Sequence, residues 1–549
     1  MAKWFCGRGM KFFESGGTMF GLHKSKKKAE ERKLPTTVKE NYLRYITAVA
    51  LPDLKGGKYS VLGDLYSIFA MEKCEYQQIE VISALVKIMK QQTNKRLLQI
   101  ESCFRQHNYI VWNVIEHLDR ESVDVSRERF RYFNDEQYCW LLRLGTFDCN
   151  GYFRQKCMEA LQGQEGSLPF FILRLNDWVK PVQECAFQLI ENQIKQCSFE
   201  ELCIALAYFQ RVEMAERRNP EHMRLVAQQL RNAFAEKVPL ASLKGFEAFI
   251  RNAVYLFLVQ EKILSKEKME QLLYWEKDGF GKRLLIQGIL KSYACNEEDI
   301  FRYLNDKSAV VRRRVLEYQY ERVKDAWDGL EEFLLDESKY NRQYASWILK
   351  KHTDISVLEY YLAALKTGTP KIAILGVGEH GTINELELIR PYLESSEEGL
   401  VKAALVAMGN LAGEKEELVY WKYLLDRRTT VSKQAYLVIR KLHIRYGVVQ
   451  LYELYCERSN QDTGRYFLKL LLEEPSWKRL PYLLKLYNIK DVDMRDRVRK
   501  CIHVRNMYAT VTEEQEQTIR SVLEEVREEI PESLRKNIIL DLKYVCKQV

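Results

Sequence analysis

The sequence predicts an all-α fold, an α-solenoid made by stacking antiparallel helix pairs. Three observations predict it. A pattern recurs every thirty residues or so. Pro and Gly are scarce, with 11 and 26 in 549 residues, about 7% where average usage gives about 12%. The chain is also too long for one compact core, whereas a repeat array grows along one axis and needs none.

The period is read from anchors at Glu276, Asp306, Asp336, Thr367, Ser395, Asp426, Ser459 and Ile489, spaced by 30, 30, 31, 28, 31, 33 and 30 residues. Upstream, Asp148 and Asp177 repeat it 29 residues apart. Five, nine and thirteen residues past an anchor the chain is mostly apolar, as at Val431, Ala435 and Ile439 or Met494, Val498 and Ile502. Positions four apart share one helical face. The middle position is usually small, as at Ala186, Ala345, Ala404 and Ala435, which lets a neighbouring helix approach closely. Ser308 and Ser338 lie two past their anchors and are predicted N-cap hydroxyls; Thr369 followed by Pro370 reads the same way. Another apolar helix precedes each anchor, so each unit is helix, tight turn, helix.

These residues resemble the HEAT repeat family in its short, ~30-residue form, similar to phycobilin-lyase-type repeats. The best matches are Leu304, Asp306, Val311 and Arg312, then Leu334, Asp336, Arg342 and Ala345. The resemblance implies that anchor Asp and Arg six residues on pair between adjacent units as a structural ladder. It assigns Asp148, Arg154, Asp177, Asp306, Arg312, Asp336, Arg342 and Asp426 to that role. Arg313, Arg314, Arg497 and Lys500 stand off the ladder register and are the candidate partner-binding residues.

The expected organisation follows the register. Residues 1–35 form a basic, disordered tail and 36–145 an N-terminal helical region. Residues 146–270 carry HEAT-like repeats with a degenerate stretch at 198–270, holding at most poor units near Arg217 and Lys244. Regular repeats fill 271–505, and capping helices fill 506–549. The tail has nine Lys/Arg against three Glu, +6 of a net +9, so the body is nearly neutral. That weakens bulk nucleic-acid affinity. The basic run 24–33 suits a solvated tail, with acidic lipid as the alternative contact. Met1, Met10 and Met19 all offer a start.

Other motifs carry less. Gly376, Gly378 and Gly381 mimic a dinucleotide fingerprint, yet the register places 372–375 on a second helix instead of a strand, and no acidic-ended strand follows. Trp178, Trp347 and Trp421 are expected in helix packing. Thirteen Cys lack any C-x-x-C pair, which fits reduced thiols in a cytoplasmic protein. No apolar run approaches the ~20 residues of a membrane span. Neither a catalytic constellation nor metal-ligand spacing is found, and no cofactor is expected. The reading is a non-catalytic scaffold that binds a protein or peptide along its concave surface, the groove lined by second helices. The alternatives are a nucleic-acid-binding protein similar to DNA alkylation-repair HEAT enzymes, and a lyase-type HEAT protein.

Overall fold

The computed structural model describes residues 36–105, 124–236, 239–368, 370–459 and 461–546. The predicted tail at 1–35, with the three methionines, and the cap position Thr369 lie outside them. Helices account for well over half of the described residues, and none of these residues forms a strand. No helix among them is long and apolar enough to cross a membrane. The chain divides into two compact units, Met1–Ser292 and Tyr293–Val549.

In the second unit, the second helix of each pair begins three residues past its anchor. These helices are Ala309–Val323, Lys339–His352, Pro370–His380, Glu398–Leu411, Thr429–Lys441 and Val492–His503; Gly464–Leu471 begins five past. First helices include Glu297–Leu304, Val357–Thr367, Glu417–Leu424, Val448–Glu457 and Ser476–Lys485. Two first helices are short or tightened: Leu330–Leu335 is a single 3-10 stretch, and Leu386–Ile389 runs into the 3-10 turn Arg390–Glu394. Glu513–Glu525 and Glu532–Cys546 complete the unit.

The first unit holds the same pairs. Gly151–Ala160, Lys180–Gln196 and Gly279–Ser292 each start three past their anchors. The stretch that matches poorly in sequence folds the same way: Pro220–Glu236 begins three past Arg217 and Ala248–Gln260 four past Lys244. Farther upstream lie Glu75–Lys90, Asn94–Ile100 and Asp135–Gly145.

The small position explains the packing. Ala186, Ala345, Ala404 and Ala435 are all fully buried, and second helices pack on second helices along the stack, with Pro370–His380 on Glu398–Leu411 and that helix on Thr429–Lys441. Gly378 belongs to this contact, and Gly376 to the contact of Pro370–His380 with the first helix of its own pair, Val357–Thr367. A Cβ at Gly376 would sit 2.1 Å from the Tyr361 ring, and one at Gly378 would sit 2.5 Å from Ala407 Cα. Tyr361 cannot swing aside freely, since its hydroxyl donates to the Leu334 carbonyl at 2.8 Å. The two glycines therefore serve helix approach inside a helix. Gly376→Ala and Gly378→Ala should each cost about 1–3 kcal/mol by overpacking, read as a lower urea midpoint. Unchanged midpoints would contradict this account.

Candidate functional site

Each Asp anchor builds a turn before it builds anything else. The backbone N–H two residues on donates to the anchor carboxylate: Asn150 to Asp148 (2.8 Å), Val179 to Asp177 (2.9 Å), Ser308 to Asp306 (2.7 Å), Ser338 to Asp336 (2.7 Å) and Arg428 to Asp426 (2.8 Å). This is an Asx turn, which satisfies an orphan donor at the helix start. Ser308 and Ser338 do stand at the N-cap, but their hydroxyls make no capping bond; the anchor carboxylate takes their N–H instead.

The residue six past the anchor then closes the turn. Arg154 Nη1 donates to the Asp148 carbonyl (2.8 Å), Arg312 to that of Asp306 (2.7 Å) and Arg342 to that of Asp336 (3.0 Å). Gln183 does the same with its amide at the Asp177 carbonyl (2.7 Å). The rest of each guanidinium reaches the following pair. Arg154 grips Asp177 through Nε (2.9 Å) and Nη2 (2.6 Å), and Arg312 grips Asp336 likewise (2.6 and 2.8 Å). The next anchor after Arg342 is Thr367, so Arg342 turns to Glu379 at 2.6 Å, with both side chains buried. In the Asp426 pair the sixth position is Ser432, which donates to the Leu424 carbonyl (2.7 Å). There Arg428 takes over, gripping its own Asp426 and donating back to the Ser395 carbonyl at 3.3 Å.

Arg251 was not singled out in the sequence. It donates to the Phe246 carbonyl and grips Glu276 through Nε and Nη2, both at 2.8 Å. The available signal was an Arg 25 residues before an anchor. Burial alone pushes the Glu276 carboxyl up. Hydrogen bonds from Arg251, the Asp278 N–H and Tyr255, with the Arg251 charge, outweigh burial and hold it at about 2 against an ordinary 4.5. A depressed carboxyl contributes stability above its unfolded pKa and loses it as pH falls toward the folded one. Glu276 should therefore contribute up to about 3 kcal/mol that disappears between roughly pH 4.5 and 2. Urea midpoints over that window should fall less steeply for Glu276→Gln than for the native chain. Parallel curves would contradict the assignment.

The candidate binding residues divide. Arg313 Nε pairs with Glu317 (2.8 Å), its Nη1 donates to the Tyr340 carbonyl (2.7 Å), and it lies 4.1 Å over the Tyr344 ring. Arg314 shares Glu317 at 2.6 Å. Both cations thus already have a carboxylate. Arg497 and Lys500 are exposed on Val492–His503. Trp178 and Trp347 depart from the expected packing, being 61% and 48% exposed. Trp178 follows its anchor in the turn, and Trp347 sits on the outer face of Lys339–His352, stacked on Tyr344 at 5.7 Å. Trp421 packs against Tyr446 at 4.2 Å. A shallow depression among the first helices is lined by Glu387, Arg390, Glu394 and Lys422, but these charges neutralise one another locally. Among the described residues no group of His, Cys, Asp and Glu is placed to hold a metal ion.

No protein-family model and no curated protein matches the chain. Among solved structures, it is similar to the karyopherin Kap121p bound to the extreme C-terminus of the protein phosphatase Cdc14p, at 11% identity and TM-score 0.23. A multiply substituted Kap121p aligns at 12% identity with the same TM-score. Both alignments cover 94% of this chain and 57% of the karyopherin. Likeness at that level carries no argument about partners. The chain's own register and turns show the fold: each unit is an all-α stack of HEAT-like helix pairs.

Proposed function

We propose that this chain is a non-catalytic scaffold of the short-repeat HEAT type, which binds a protein or peptide along the solvent-exposed face of its second helices. One observation carries the reading. On Lys339–His352 the ladder residue Arg342 is spent inside the stack while Tyr340 and Trp347 are exposed, and the second helices Thr429–Lys441 and Val492–His503 present Lys433, Leu437 and Arg497 to solvent. Scattered exposed side chains are ordinary, but these lie four, seven, eight or eleven residues past their anchors, which places them on one helical face. Free cysteines spread over both units support a reducing, cytoplasmic setting.

The test is site-specific photo-crosslinking in the native cell. A photoreactive residue at Trp347 or Leu437, on second helices, should give discrete adducts. The same residue at Tyr274 or Leu418, exposed on first helices, should give few. Adducts confined to the first-helix positions would overturn the reading.

A further inference from the structure

Three consecutive second helices of the second unit converge on one cationic patch. On Thr429–Lys441, Lys433, Leu437 and Arg440 follow one another at helical spacing and are all exposed. On Gly464–Leu471, Arg465 is exposed and Lys469 half-buried. Val492–His503 adds Arg497.

Lys469 is the centre. Its ammonium lies 5.4 Å from the Tyr466 ring centroid and 5.9 Å from that of Tyr436, and the two rings stack at 5.4 Å. Burial, then the charges of Arg465, Arg497, Lys433 and Arg440, pull its pKa down. Those four cations therefore surround it closely enough to be felt. Exposed Asp493 and Asp496 share Val492–His503 with Arg497. Glu473 pairs with Arg440 at 2.7 Å, and Asp462 and Asp491 are within electrostatic reach of Arg465. No carboxylate pairs with Lys469, Lys433 or Arg497 among the described residues. Five cations held together in this way repel one another, and an anionic partner relieves that repulsion.

We infer that this patch docks an acidic peptide segment of a protein partner, with glutamates or aspartates on Lys433, Lys469 and Arg497 and an apolar side chain on Leu437. The inference rests on the second-helix binding reading and makes it specific. The rings decide between partner classes. Single-stranded nucleic acid is held by bases stacking on open aromatic faces. Tyr436 and Tyr466 are buried, at 7% and 1% exposure, and are covered by Lys469. The patch therefore offers charge and one aliphatic group, with no ring free for a base.

The test uses the full chain and a fluorescein-labelled peptide of Glu-Glu-Leu repeats, read by anisotropy. The native chain should bind it, more weakly as salt rises. Lys433→Glu combined with Arg497→Glu should weaken binding about tenfold or more; both residues are exposed, so the fold is kept, as checked by circular dichroism. Lys415→Glu, an exposed change elsewhere in the unit, should leave binding as it was. The single changes Lys433→Gln and Arg497→Gln should each give a partial loss. Equal loss in the Lys415 control, or none in the double variant, overturns the patch while leaving the second-helix reading to the crosslinks. Equal binding of a Gln-Gln-Leu peptide overturns the role of charge. Tighter binding of a single-stranded oligonucleotide, lost in the double variant, overturns the partner class.

Discussion

Arg154→Met is expected to destabilise the first unit by about 3–5 kcal/mol, the cost of leaving a buried charge without its partner. Arg154 and Asp177 have no solvent-exposed side-chain surface. The guanidinium makes two bonds to that carboxylate and two more to the Asp148 and Cys149 carbonyls. Methionine fills part of the volume and makes none of them. Asp177 keeps Arg174 at 3.2 Å and the Val179 N–H, which places the expected loss toward the lower end of the range. Replacing both partners tells charge from shape. Arg154→Met with Asp177→Leu removes the stranded carboxylate, so the double variant should lose less than the sum of the two single changes. Urea unfolding followed by circular dichroism reads this. A loss below about 1 kcal/mol, typical of an exposed ion pair, would show that the turn-to-turn brace carries little stability.

Much of the fold was legible because it is written locally and repeated. An anchor, a small residue nine on and apolar residues at five and thirteen each follow from packing one helix face against another. That is why Ala345, Val311 and Ile439 could be placed by spacing. Gly376 was legible for the same reason, since it falls nine past Thr367 at the small position, whereas the role of Gly378 was not, because Ala407 reaches it only when the next pair stacks. The anchor's Asx turn was not read, since Ser308 and Ser338 offered the more familiar hydroxyl cap at the same helix start. The site was less legible than the fold. Glu317 is three residues from Arg314 and four from Arg313, a spacing that pairs charges along a helix, so that neutralisation was readable. The patch around Lys469 was not, because Lys433, Arg440, Arg465 and Arg497 come from three pairs and meet only when the helices stack. Arg251 escaped because its first helix shrinks to the 3-10 stretch Leu240–Gly245 and no Asp marks its anchor.

Ala345→Arg should have the other large effect, and it bears most directly on the stack. Ala345 is fully buried at the small position of Lys339–His352. Arginine there forces a long cation into a closed helix contact, an error of several kcal/mol from both overpacking and desolvation. In a linear array each pair is held by its neighbours, so damage starts locally and spreads outward. Amide hydrogen exchange with mass-spectrometric readout follows this along the chain. Protection should fall first and furthest across residues 306–395. It should hold longer in Lys180–Gln196 and in Glu513–Glu525 and Glu532–Cys546. Such a graded loss is the predicted result. Uniform loss along the whole chain, as a single shared core would give, or no loss at all, would contradict the stacked-pair account.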